Sequence, residues 1–124
     1  MNIDFQSIVN ILQTVFPKEW DKIVFYAEYT TGSYSMKYYF KSESDEYKDC
    51  YSIKEFNKAQ FVKVYKEINK ILSKERDNLS DENKWFAFTL ILNADGKFKS
   101  EFDYNSHEEK VLQFQEDWKK KYLI

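Results

Sequence analysis

Apolar positions along the chain change spacing several times, and each change predicts an element. Phe5, Ile8, Val9, Leu12, Val15 and Phe16 recur three and four apart, on one stripe of a helix, and Asp4 is placed to cap its start. Pro17 ends it, because the residue before a proline is pushed out of helical dihedrals. Residues 18–21 connect to the run 23–29, whose β-branched and aromatic content favours an interior strand with two apolar faces. Thr30, Thr31, Gly32 and Ser33 supply a turn. The chain returns with Tyr34, Met36, Tyr38 and Phe40 on one face and Ser35, Lys37, Tyr39 and Lys41 on the other. A polar turn over 42–46 leads to a third alternating run over 47–53, completing an antiparallel meander.

The period then lengthens to about 3.6. Phe61, Val64, Tyr65, Ile68, Ile71 and Leu72 form one face of a helix predicted over 57–76. After a polar loop, residues 85–92 are apolar on both faces and read as the most buried strand. Asn93, Ala94, Asp95 and Gly96 make a hairpin turn. On the return strand Phe98, Ser100, Phe102 and Tyr104 alternate with Lys99, Glu101 and Asp103. Ser106 is the expected cap of a last helix carrying Val111, Phe114, Gln115, Trp118 and Tyr122 on one face. Glu108 and Glu109 at its start and Lys119, Lys120 and Lys121 at its end suit the helix dipole. The order α-β-β-β-α-β-β-α predicts an α+β fold, an antiparallel sheet of about five strands packed with helices. With 124 residues, a single domain over 1–124 is expected, since two cores would leave each half near the lower limit for independent folding.

Composition narrows the function. Hydrophobic residues make up 43% and aromatics 19%, enough apolar area to exclude disorder of the whole chain. Two Gly and one Pro leave no glycine-rich phosphate loop. Nineteen Lys and Arg against 21 Asp and Glu give a net charge of −2, with Arg76 the single arginine, so direct binding of nucleic acid is not expected. One cysteine, Cys50, cannot form an internal disulfide, and the first residues lack a basic region followed by an apolar core; a cytoplasmic location is expected. No apolar run is long enough to span a membrane.

Catalytic signals are sparse. His107 reads as a solvated first-turn residue beside Glu108 and Glu109, and its pairing with Cys50 lacks any surrounding motif. No residues have metal-ligand spacing, and no cofactor is expected. Glu101 and Asp103 are the better candidates, about 7 Å apart by strand rise and able in principle to act as an acid and base pair; the competing reading is a solvated strand face. Tyrosine has a different pattern. Tyr47 and Tyr51 lie beside Glu43, Asp45, Glu46 and Asp49 in a stretch whose ten residues, 42–51, hold four acids and one lysine. Rigid tyrosine area with steering carboxylates suits an interface with a basic partner; a polar solvent-facing hairpin fits the same residues.

Phe16-Pro17-Lys18-Glu19-Trp20-Asp21-Lys22-Ile23-Val24-Phe25-Tyr26-Ala27-Glu28 resembles the opening of the YezG-like antitoxins, also called EsaG-like immunity proteins. Lys84-Trp85, Phe88-Thr89-Leu90-Ile91-Leu92, Asn93-Ala94-Asp95-Gly96-Lys97-Phe98 and Phe102-Asp103-Tyr104 are similar to that family's downstream hairpin, at matching separation. The milder acidity and a shorter C-terminal end depart from the family pattern. The resemblance implies a bacterial immunity protein that is not an enzyme. Its implied partner is the toxic C-terminal domain of a polymorphic toxin, often a nuclease exported by a type VII pathway. Glu43, Asp45, Glu46, Tyr47, Asp49 and Tyr51 are then the expected toxin contacts, with Glu101 and Asp103 second. A small enzyme using Glu101 and Asp103, or a generic protein-interaction module, are the competing classes.

Overall fold

The computed structural model describes residues 2–42, 46–54 and 56–124. The chain divides into two compact units, Met1–Lys18 with Ile53–Lys84, and Glu19–Ser52 with Trp85–Ile124.

The first unit is a helix pair. Asp4 caps α1 (Phe5–Leu12) by accepting the Ser7 N–H, as its position predicts, and a short 3-10 turn, Gln13–Val15, precedes Pro17. α2 (Lys58–Asp77) starts at Asn57, whose side chain accepts from Gln60 N. Phe61, Val64, Ile68 and Leu72 are its buried stripe, and Ile8, Val9 and Leu12 are that of α1, so both helical periods are realised in burial. Gln60 Nε2 ties the two helices by donating to Thr14 O at 3.2 Å.

The second unit is a five-stranded antiparallel sheet in the order β3-β2-β1-β4-β5 with a helix on one face. Its elements are β1 (Lys22–Thr30), β2 (Ser33–Lys41), β3 (Lys48–Asp49), β4 (Ala87–Asn93), β5 (Phe98–Asp103) and α3 (Val111–Tyr122). Gly32 and Gly96 close the two hairpins with φ of 74° and 90°, a region that side chains disfavour.

Four local expectations change. The most buried strand is β1, not β4: every residue over 23–29 is buried because β1 is the central strand, whereas β4 neighbours the edge. The third strand shrinks to two residues, because Cys50–Ser52 turn into a 3-10 segment held by Ser52 Oγ donating to Asp49 O. Ser106 does not cap the last helix; α3 follows a 3-10 turn, Glu108–Lys110, and has no side-chain cap. Finally, Phe86 N donates to Asp103 O although Ala87 is the partner of Asp103, so two residues of the incoming strand oppose one. This bulge puts Phe86 beside Ala87 on the α3 face and leaves Trp85 with Tyr29, Phe88 and Phe102 on the other.

Candidate functional site

The register lays the α3 face out as rows. One runs Lys37, Tyr26, Thr89, Glu101; the next runs Ser35, Glu28, Ala87, Asp103. Residues two apart on a strand share a face, so the Glu101 and Asp103 side of β5 is the side covered by α3. Both are half-buried rather than fully solvated.

Of the acidic, tyrosine-bearing stretch, Glu43 and Asp45 lie outside the described residues. Glu46 is exposed. Tyr47 packs against the α3-face cluster, with Lys41 Nζ 4.9 Å from its ring and its hydroxyl buried without a hydrogen-bond partner among the described residues. Burial pushes the Tyr47 hydroxyl up, and Lys41 opposes this. Asp49 faces Lys37 at 3.6 Å and accepts the Tyr51 N–H at 2.8 Å. Lys37 Nζ also lies 5.1 Å from the Tyr39 ring and 5.6 Å from that of Tyr51. Burial lowers the affinity of Lys37 for its proton, but Tyr39 and Asp49 outweigh burial and hold the ammonium above the ordinary lysine value. Tyr51 itself is 48% exposed. Part of this stretch is thus engaged within the sheet unit, and among its described residues Glu46, Lys48 and Tyr51 face outward.

Glu101 and Asp103 line a groove of about 610 Å³ between β5 and α3. Tyr122 donates its hydroxyl to Glu101 Oε2, and Lys99 Nζ lies 3.6 Å from Oε1. The Tyr122 hydrogen bond, aided by Lys99 and Lys121, holds the Glu101 carboxyl below its ordinary value against the opposing effect of burial. A carboxylate held low stays ionised, which disfavours Glu101 as the proton donor of an acid and base pair. Asp103 Oδ1 accepts the Asn105 N–H at 2.9 Å and lies 3.4 Å from His107 Nε2. His107 is half-buried instead of solvated: its ring stacks on Phe114 at 4.2 Å and meets Phe86 edge-on. Cys50 is fully buried. Among the described residues no group of three or more His, Cys, Asp or Glu is arranged to hold a metal, and no helix is long and apolar enough to cross a membrane.

Two groups escaped the sequence reading. Glu28 on β1 is 3% exposed and accepts from Gln115 of α3, and burial raises its carboxyl despite that hydrogen bond. Asp117 and Tyr104 join the groove. Glu28 is a single acid in an apolar run, and only the strand register reveals which face it shares. Asp117 lies between helix positions read as core, one residue from Trp118.

The profile of a family described as "Immunity protein YezG-like" matches residues 1–123. The chain belongs to the YezG-like immunity protein family. A search of curated proteins finds no match. Membership makes this an immunity protein and implies a toxin as its partner.

Proposed function

We propose that the chain neutralises the toxic C-terminal domain of a cognate secreted polymorphic toxin, a nuclease, by stoichiometric binding in the bacterial cytoplasm. The observation that carries this reading is the family match across residues 1–123. Charge supports it: a nuclease binds a polyanion and so presents a basic surface, and this chain combines a net charge of −2 with exposed Glu46 and Tyr51 and the half-buried Glu101 and Asp103. Glu43, Asp45, Glu46, Tyr47, Asp49 and Tyr51 are the proposed first contacts, and Glu101 and Asp103 the second. Carboxylates steer the encounter, a few desolvated aromatic anchors hold the complex, and the toxin's substrate surface is covered.

The test is co-purification with the toxic domain encoded beside the gene, followed by a nuclease assay with increasing immunity protein. Activity should fall linearly and vanish at one equivalent, in a one-to-one complex. Full activity at excess, with no complex, would overturn the proposal.

A further inference from the structure

The groove between β5 and α3 has a chemistry of its own. Its walls carry three carboxylates, Glu101, Asp103 and Asp117, and one ammonium, Lys121, together with the rings of Tyr104, Phe114 and Trp118; Lys99 Nζ, 3.6 Å from Glu101 Oε1, offsets Glu101, so the excess charge rests on Asp103 and Asp117. Tyr104 is 55% exposed and Asp117 is exposed, so the mouth offers both a ring and a charge to an incoming group. The described polar contacts of Asp103 and of Asp117 fall on Oδ1 in each case, from Asn105 N and His107 Nε2 for Asp103 and from Gln113 Nε2 for Asp117, and a carboxylate keeps acceptor capacity on its second oxygen. Excess negative charge disfavours an acidic occupant. Aromatic faces beside carboxylates favour a cation that both stacks and pairs, and a guanidinium does both, being planar, weakly hydrated and a bidentate donor. β5 is the edge strand of the sheet, so an extended peptide can lie alongside it without displacing another strand.

We propose that this groove receives an arginine side chain from an extended basic segment of the partner, paired with Asp103 and Asp117 and stacked on the exposed ring of Tyr104. The inference rests on the toxin reading only for who supplies that segment; the groove's preference for a guanidinium stands on its lining.

The probe is a blocked Gly-Arg-Gly tripeptide titrated into the full chain, read from the NMR shifts of the Trp118 indole N–H and of the Asp103 and Asp117 amides. Saturable shifts are expected with arginine and none with the uncharged citrulline peptide. Asp103→Asn and Asp117→Asn should each weaken binding roughly tenfold, the cost of one charge-assisted hydrogen bond. Asp117 is an exposed helix position, so D117N remains informative if D103N unfolds. Equal binding of the citrulline peptide, or binding unchanged in D117N, would overturn the inference. So would a concentration-dependent dimer abolished by the same substitutions, which would make a second copy the occupant. Arginine binding without any toxin complex would remove the toxin reading alone, and an intact toxin complex in D103N/D117N would remove the groove alone.

Discussion

Trp118 of α3 donates its indole N–H to the hydroxyl of Thr89 on β4 at 2.9 Å, with both residues buried. This bond fixes the helix on the sheet at one point, while the ring packs on Tyr26 at 4.8 Å and Tyr122 at 5.3 Å. Thr89→Val keeps the shape and removes the acceptor, leaving a buried donor unsatisfied, which costs about 1–3 kcal/mol. Urea unfolding should show a lower midpoint at unchanged slope. An unchanged midpoint would mean that the indole finds another acceptor.

Glu28 ties α3 to a different strand, β1, through a hydrogen bond accepted from Gln115. Burial raises its carboxyl above the ordinary glutamate value of 4.5, so the folded state holds the proton more tightly than the unfolded chain does. The associated stability is fully present below the unfolded value and is lost as pH rises through the folded one. Glu28→Gln keeps an oxygen for Gln115 and abolishes the titration. Melting temperatures of the two proteins should coincide near pH 4 and diverge by pH 7, with the variant higher. A variant less stable at pH 7 would show that the ionised carboxylate is compensated.

Glu101 should behave with the reverse sign. Its carboxyl is lowered, first by the Tyr122 hydroxyl, so its stability contribution is present above the unfolded value of 4.5 and disappears as pH falls through the folded value. Tyr122→Phe removes the donor. The Glu101 titration, followed by side-chain carboxyl NMR, should move upward, and the variant's loss of stability at neutral pH should vanish in acid. A titration that does not move would make Lys99 and Lys121 the controlling groups.

These groups show how far a sequence pattern reaches. Helical stripes such as Phe61, Val64, Ile68 and Leu72 were legible because a 3.6-residue period depends only on the element itself. The hairpins at Gly32 and Gly96 were legible from turn chemistry. Which strand face α3 covers depends on long-range packing, and the alternation of Glu101 and Asp103 with Phe98, Ser100 and Phe102 therefore read as solvent-facing when α3 lies over those acids. The bulge at Phe86 was hidden for a related reason: nothing in an apolar run marks where one residue is added, yet that addition decides on which side of the sheet Trp85 lies. The candidate site was half visible. Its acids and tyrosines stood out by composition, but their internal partners, Lys37 for Asp49 and Tyr122 for Glu101, come from other strands and helices.

The outward members of the acidic stretch give the test of the proposed toxin surface. Glu46→Lys combined with Tyr51→Ala reverses an exposed charge and removes an exposed ring while leaving the Lys37 and Asp49 pair in place. Association with the toxic domain should slow by roughly tenfold at low salt, with the difference narrowing as salt rises, because steering by surface charge is screened. The melting temperature should be unchanged. Association at the native rate would take this hairpin out of the interface.

Trp85 provides the complementary case, a residue whose loss should abolish protection only through the fold. It is fully buried, edge-on to Tyr29 at 5.3 Å and tilted against Phe102 at 5.5 Å, a position the bulge creates. Trp85→Ala removes a large ring from a close-packed layer and should cost about 3–5 kcal/mol. A small domain has a total stability of about 5–15 kcal/mol, so the variant should be partly unfolded near its shifted transition and folded when cold. Neutralisation should follow the folded fraction measured by circular dichroism. At low temperature the folded protein should bind the toxic domain at the native rate. A slow rate in fully folded W85A would instead place Trp85, or the strand geometry it supports, in recognition itself.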